Sequence, residues 1–279
     1  MPIHDQGYRR YGGEKARTGT GWMVITRAGL RTFFAKRAFL GLLLVAWFPF
    51  FVRAVQIYAA ANLPQAQFLA PTAETFRQFL DQQQIFVFFI TVYVGAGLIA
   101  NDRRANALQI YLSKPLTRAE YIFGKLAILM IFLSLVTWLP AIVLLIVQIS
   151  FAGNFTFLAR NLFLFPAITV FSFISVTMVA AAMLALSSLS NSSRYVGILY
   201  AAVIFFTQAV YGVVYAVTRS SAMSWISFSA NLSQVGDVIF RQPPKYDTPW
   251  PVSLLMIVGL IVLLAVVLER RVRGVEVVA

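Results

Sequence analysis

The sequence predicts an all-α integral membrane protein with six transmembrane helices. It adds an N-terminal interfacial helix, a short cytoplasmic helix between the second and third spans, and an external amphipathic or re-entrant helix before the sixth. Three observations carry that prediction. Residues of the AVILMFWYC set make up 59% of the 279-residue chain and charged residues only 12%, whereas charged residues normally supply about a quarter of a globular sequence. Six separate stretches are apolar enough to cross a hydrocarbon core roughly 30 Å thick, which takes about 20 residues of helix. None shows the alternation of apolar and polar side chains, in segments of about 10 residues, that a membrane β-barrel requires.

Taken in order, residues 1–37 are a cytoplasmic tail and elbow, hydrophilic, basic and glycine-bearing, unlike a cleavable signal peptide. Residues 20–37 read as a helix in the inner interface, because Trp22, Ile25 and Phe33 cluster on a helical wheel while Arg27 and Arg31 point nearly the opposite way. Spans are expected at 38–60, 83–101, 121–149, 161–189, 195–217 and 250–268, forming one transmembrane domain over 38–268, with 269–279 as a cytoplasmic tail. Pro49, Pro140 and Pro166 are kink positions.

The loop 101–120 reads NDRRANALQIYLSKPLTRAE. Asn101 or Asp102 is expected to cap a short helix that puts Ala105, Leu108, Tyr111 and Leu112 on one face and Arg103, Arg104, Asn106 and Gln109 elsewhere. Pro115 stops that helix, and Thr117 with Glu120 forms a capping box that opens the next helix at Arg118. In the external segment 222–240, Trp225, Phe228, Leu232, Val235 and Ile239 recur at helical spacing with Ser224, Ser227, Asn231 and Gln234 among them. That pattern fits a helix lying on the outer leaflet or dipping into it.

Charge sets the expected orientation. Of 23 Lys and Arg residues, only Arg53, Arg77, Arg160, Arg219, Arg241 and Lys245 fall on or near the outer side when the N-terminus is inside. Both termini are therefore expected in the cytoplasm, with Gln83 and Tyr246 outside. The net charge of +13 is explained by this topology, without nucleic acid.

The absent chemistry is as informative. There is no cysteine, and the single histidine, His4, sits in the polar tail, so zinc, haem and thiol chemistry have no support and no metal or catalytic residue is assigned. All ten acids are expected at or beyond the span ends, which disfavours an ion-coupled carrier with a carboxylate at mid-membrane. No GxxxxGK followed by Ser or Thr is present to hold nucleotide phosphates. Uphill movement would need energy from another polypeptide.

The run GLIANDRRANALQIYLSKPLTRAEYIFGKL, residues 97–126, resembles the cytoplasmic loop of type-2 ATP-binding-cassette (ABC) transporter permeases. The matching features are Gly95 and Gly97, Asp102 with Arg103, the helix Leu108 to Leu112, Ser113 to Pro115, Thr117 with Arg118, and Gly124 with Lys125. The resemblance implies that this loop is a coupling helix docking on a separate ABC ATPase through Asp102, Arg103, Arg104, Ala105, Leu108, Tyr111 and Leu112. It further implies that ATP-Mg is bound on that partner rather than on this chain, and that a second permease copy or homologue completes the transporter in the plasma membrane, usually for export. The alternative is a non-transporting membrane anchor that recruits a cytoplasmic partner; a secondary transporter ranks third. Arg53, fifteen residues into uncharged sequence, either snorkels to the outer interface among lipid headgroups or contacts an anion or substrate.

Overall fold

The computed structural model describes residues 20–107, 116–151 and 161–272. Every regular element in them is helical, and six helices or helix pairs have the length and apolarity to span a membrane. Chain order is α1 (Gly21–Phe34), α2 (Arg37–Ala46), α3 (Phe48–Asn62), α4 (Ala73–Ile90), a π-helical turn (Thr91–Gly95), α5 (Ala100–Arg104), α6 (Arg118–Val136), α7 (Trp138–Phe151), α8 (Leu164–Leu189), α9 (Ser193–Thr218), α10 (Phe228–Ile239) and α11 (Trp250–Arg271).

The prolines act at different places. Pro49 sits in the first turn of α3, and the first span breaks at Trp47 just before it. The third span breaks at Thr137, three residues before Pro140, because a proline ring removes one backbone donor and crowds the carbonyl one turn back. Pro166 causes no kink. It lies in the first turn of α8, where a missing N–H would have lacked an intrahelical partner anyway.

The second span differs most from expectation. It begins at Ala73 rather than residue 83, so the helix takes in Arg77, Asp81 and Gln83. Gln83 is fully buried in it rather than standing in an outer loop. At its other end, Asn101 and Asp102 do not cap a new helix: they lie inside α5, whose N-cap is Ile99, and the chain turns off at Asn106 with a left-handed φ of 51°. Asparagine tolerates that conformation better than most side chains. Leu108, Tyr111 and Leu112 lie outside the described residues.

α8 is the hub. It touches α4, α5, α6, α7, α9, α10 and α11, and 72% of its most apolar window is buried, against 17% for the first and sixth spans. Its run of small side chains, Ala180, Ala181, Ala182, Ala185, Ser187 and Ser188, is buried throughout, which lets neighbouring backbones approach closely. The predicted external helix is α10. It does not lie on a surface with its polar side out: it packs against α8, α9 and α11, and Asn231, Gln234 and Asp237 are as buried as Leu232 and Val235.

Candidate functional site

The resemblance directs attention to the ends of the second, third and fourth spans that lie nearest the segment 101–120. α1 lies along the first half of α6, and the contact depends on Gly124. A Cβ there would stand 3.0 Å from the Trp22 carbonyl oxygen and 2.9 Å from Ile25 Cβ. The Thr26 hydroxyl, buried at this crossing, is 2.8 Å from the Trp22 carbonyl and 3.2 Å from the Gly124 carbonyl. The expected face of the elbow is the one that packs: Trp22, Ile25 and Phe33 are partly covered while Arg27 and Arg31 are exposed.

The capping box forms as expected and reaches further. The Glu120 carboxylate accepts from the Thr117 N–H at 2.9 Å and the Thr117 hydroxyl at 3.0 Å. Its other oxygen accepts from the Gly21 N–H at 3.3 Å. One side chain thus ties the start of α6 to the otherwise uncapped start of α1.

Of the seven loop residues predicted to meet a partner, the four that are described divide into two groups. Asp102 is engaged inside the protein, 2.7 Å from Lys125 Nζ and accepting from the Tyr121 hydroxyl at 2.8 Å. Arg103 donates to the Ser188 carbonyl at the end of α8. Arg104 and Ala105 are exposed. Sequence reasoning missed the role of Ser187: its hydroxyl oxygen lies 3.1 Å from the Ile99 N–H, 3.0 Å from the Ala100 N–H and 2.9 Å from the Ala96 carbonyl. The break between the π turn and α5 leaves those backbone groups without helical partners, and one hydroxyl from α8 satisfies them, as buried backbone in a membrane requires.

A second constellation lies at the opposite end of the second span, on α4. Arg77, 2% exposed, donates to Asp81, to Asp237 at 3.2 Å and to the Ser233 carbonyl at 3.2 Å. Its guanidinium stacks 4.7 Å from the Phe171 ring centroid, and Gly236 leaves the room, since a Cβ there would be 2.8 Å from the guanidinium carbon. Lys245 stands 3.5 Å from Asp81 and 3.9 Å from Asp237. The expectation that every acid lies at or beyond a span end is corrected at Asp81, which is inside α4 of the second span; Asp237, on α10 outside the six spans, is 1% exposed. Burial holds the Asp237 carboxyl above the ordinary carboxylate range, with Arg77 and Lys245 pulling it back only in part. The legible signal was Thr72 with Thr75, whose hydroxyl accepts from the Thr72 N–H at 3.1 Å and marks the helix start. Phe76, Phe79 and Leu80 at helical spacing follow it.

Arg53 is half-buried on α3 and donates to Gln56 at 2.9 Å and Gln78 at 3.5 Å. Among the described residues no group of three His, Cys, Asp or Glu side chains is placed to hold a metal ion. A family model described as ABC-2 family transporter protein matches residues 23–271. No curated protein sequence matches the chain.

Proposed function

The chain belongs to the ABC-2 family of transporter proteins, and on that premise we propose that it is the membrane permease that couples ATP hydrolysis on a separate cytoplasmic ATPase to export of a substrate. ATP-Mg binds on the ATPase, two permeases act together, and both termini face the cytoplasm at the plasma membrane.

The observation that supports this reading is the set of bonds that fix the described residues on either side of segment 108–115. α5 is tied to α6 by Asp102–Lys125 and to α8 by Arg103–Ser188, while α1 is tied to α6 through Gly124 and Glu120. A push on a loop held this way moves three spans together. A flexible tether, sufficient for mere recruitment, would need none of these bonds.

The test replaces Leu108 and Tyr111 with Asp and follows ATPase copurification and transport beside the parent protein. The expected result is normal insertion with lost coupling. Unchanged binding and transport overturn the proposal, and lost binding in a protein without any transport activity assigns the loop to an anchor instead.

A further inference from the structure

A cavity of about 330 Å³ lies between α4, α8, α9 and α10, at the lower end of the size range of small-molecule sites. Among the described residues that line it, Asp81 is the one charged side chain. Four aromatic rings, those of Phe88, Tyr200, Phe228 and Tyr246, make up much of the remainder. Direct contacts fix its two ends. Asp81 and Phe88 share one face of α4, two turns and about 10 Å apart at 1.5 Å per residue. At the Asp81 end, Arg77 reaches the Ser233 carbonyl at 3.2 Å and Lys245 comes within 3.5 Å of Asp81 itself, so α10 and the segment after it close that end. At the other, the Phe88 ring stacks 5.7 Å from that of Tyr200. The cavity is therefore a short slot with a carboxylate at one end and an aromatic floor at the other.

The charge at the acidic end is balanced loosely. Arg77 donates to one oxygen of Asp81 and one of Asp237, so two carboxylates share a single firmly held cation and one more positive charge is required. Lys245 supplies it from the exposed side. It is 54% exposed and stands 3.5 Å from the second oxygen of Asp81 and 3.9 Å from Asp237, where a firm ammonium–carboxylate contact measures about 2.7–2.9 Å. A monovalent cation arriving through the cavity can take the place of Lys245 with no change in net charge. Other polar lining groups are already engaged, Gln84 with Ser175 at 3.3 Å and Ser229 with Gln208 at 2.9 Å. Hard metal ions take about six or more oxygen ligands, which an aromatic floor does not offer, whereas ring faces attract organic ammonium groups.

We propose that this cavity binds one small organic monocation, its ammonium on Asp81 in place of Lys245 and its apolar body against Phe88, Tyr200 and Phe228. The site is built within one chain and needs no ATPase, so it stands or falls separately from the coupling reading.

The test uses the purified full-length chain in nonionic detergent at neutral pH. Radiolabelled phenethylammonium, or phenethyl alcohol as its uncharged counterpart, is equilibrated by dialysis against protein-free micelles. Saturable uptake of one phenethylammonium per chain is expected, with no saturable uptake of the alcohol. Affinity should fall roughly tenfold for Asp81→Asn and be largely kept by Asp81→Glu, which separates a lost charge from a lost fold. Ile204→Trp should abolish uptake by filling the slot. Lys245→Gln should tighten binding by roughly threefold, because the tethered competitor is gone; a purely structural Asp81–Lys245 pair would give no such gain. Absence of saturable uptake, or equal uptake of the alcohol, which marks an apolar void, overturns the proposal. So does displacement by equimolar sodium, which marks an inorganic-cation site, unchanged affinity in Asp81→Asn, or weaker binding in Lys245→Gln.

Discussion

Arg77 and Asp237, 160 residues apart in the chain, are joined by a hydrogen bond of 3.2 Å in a setting where both side chains are almost wholly removed from solvent. The bond fastens α10 to α4. Losing Arg77 alone leaves a buried carboxylate facing only Lys245, and removing one partner of a buried pair costs about 3–5 kcal/mol. Arg77→Met should therefore unfold markedly earlier in a thermal or denaturant titration in detergent. Arg77→Met with Asp237→Leu should recover most of the loss, because no uncompensated charge remains. An equally unstable double variant would mean that the pair contributes through packing on Phe171 instead.

The raised Asp237 gives a signed pH dependence. An acid whose folded-state value lies above its unfolded value of about 3.9 contributes stability that is complete below that value and lost as pH rises through the folded one. Burial is the leading cause of the rise. The melting temperature of the native protein minus that of Asp237→Asn should thus fall from pH 4 upward and level off above the folded value. A difference that grows with pH would show Arg77 outweighing burial.

Ser187→Ala should destabilise out of proportion to the single oxygen it removes. The Ile99 and Ala100 amides and the Ala96 carbonyl all lose their partner, at about 1–3 kcal/mol for each buried group left unsatisfied. Hydrogen exchange should accelerate at residues 99–100 before it does elsewhere in the second span. Uniform acceleration would instead indicate a global packing role.

Gly124 is the elbow's contact point. The facing Trp22 carbonyl belongs to backbone and cannot rotate aside, so Gly124→Leu should lever α1 off α6 while the spans still insert. Limited proteolysis within 20–36 should increase and transport should fall. Gly124→Ala, meeting contacts of 2.9–3.0 Å, should show a smaller shift in the same direction.

Orientation can be read by labelling. The chain has no cysteine, so single cysteines at Gly13, Tyr246 and Ala279 report without background. In intact cells an impermeant reagent should modify only the one at Tyr246. Labelling of either tail would remove the assignment of both termini to the cytoplasm.

The sequence by itself determined what depends on neighbours along the chain. Six apolar runs set the six spans, since each length and composition is a local property. Thr117 with Glu120 set the start of α6, because a capping box closes within one turn. The Trp22, Ile25 and Phe33 stripe set which side of the elbow packs. Tertiary structure decided the rest. Asp102 looked like a free helix cap and became the partner of Lys125, and Ser187 looked like one small residue among several and became the acceptor for a broken helix. Arg77 looked like a charge in the segment before the second span and Asp237 like a polar position on an external helix, and they became a buried pair. In each case the partner sits on another helix, so the interaction exists only after the bundle has packed. A polar side chain bound for solvent and one bound for a buried counter-ion carry the same letter until the facing helix arrives.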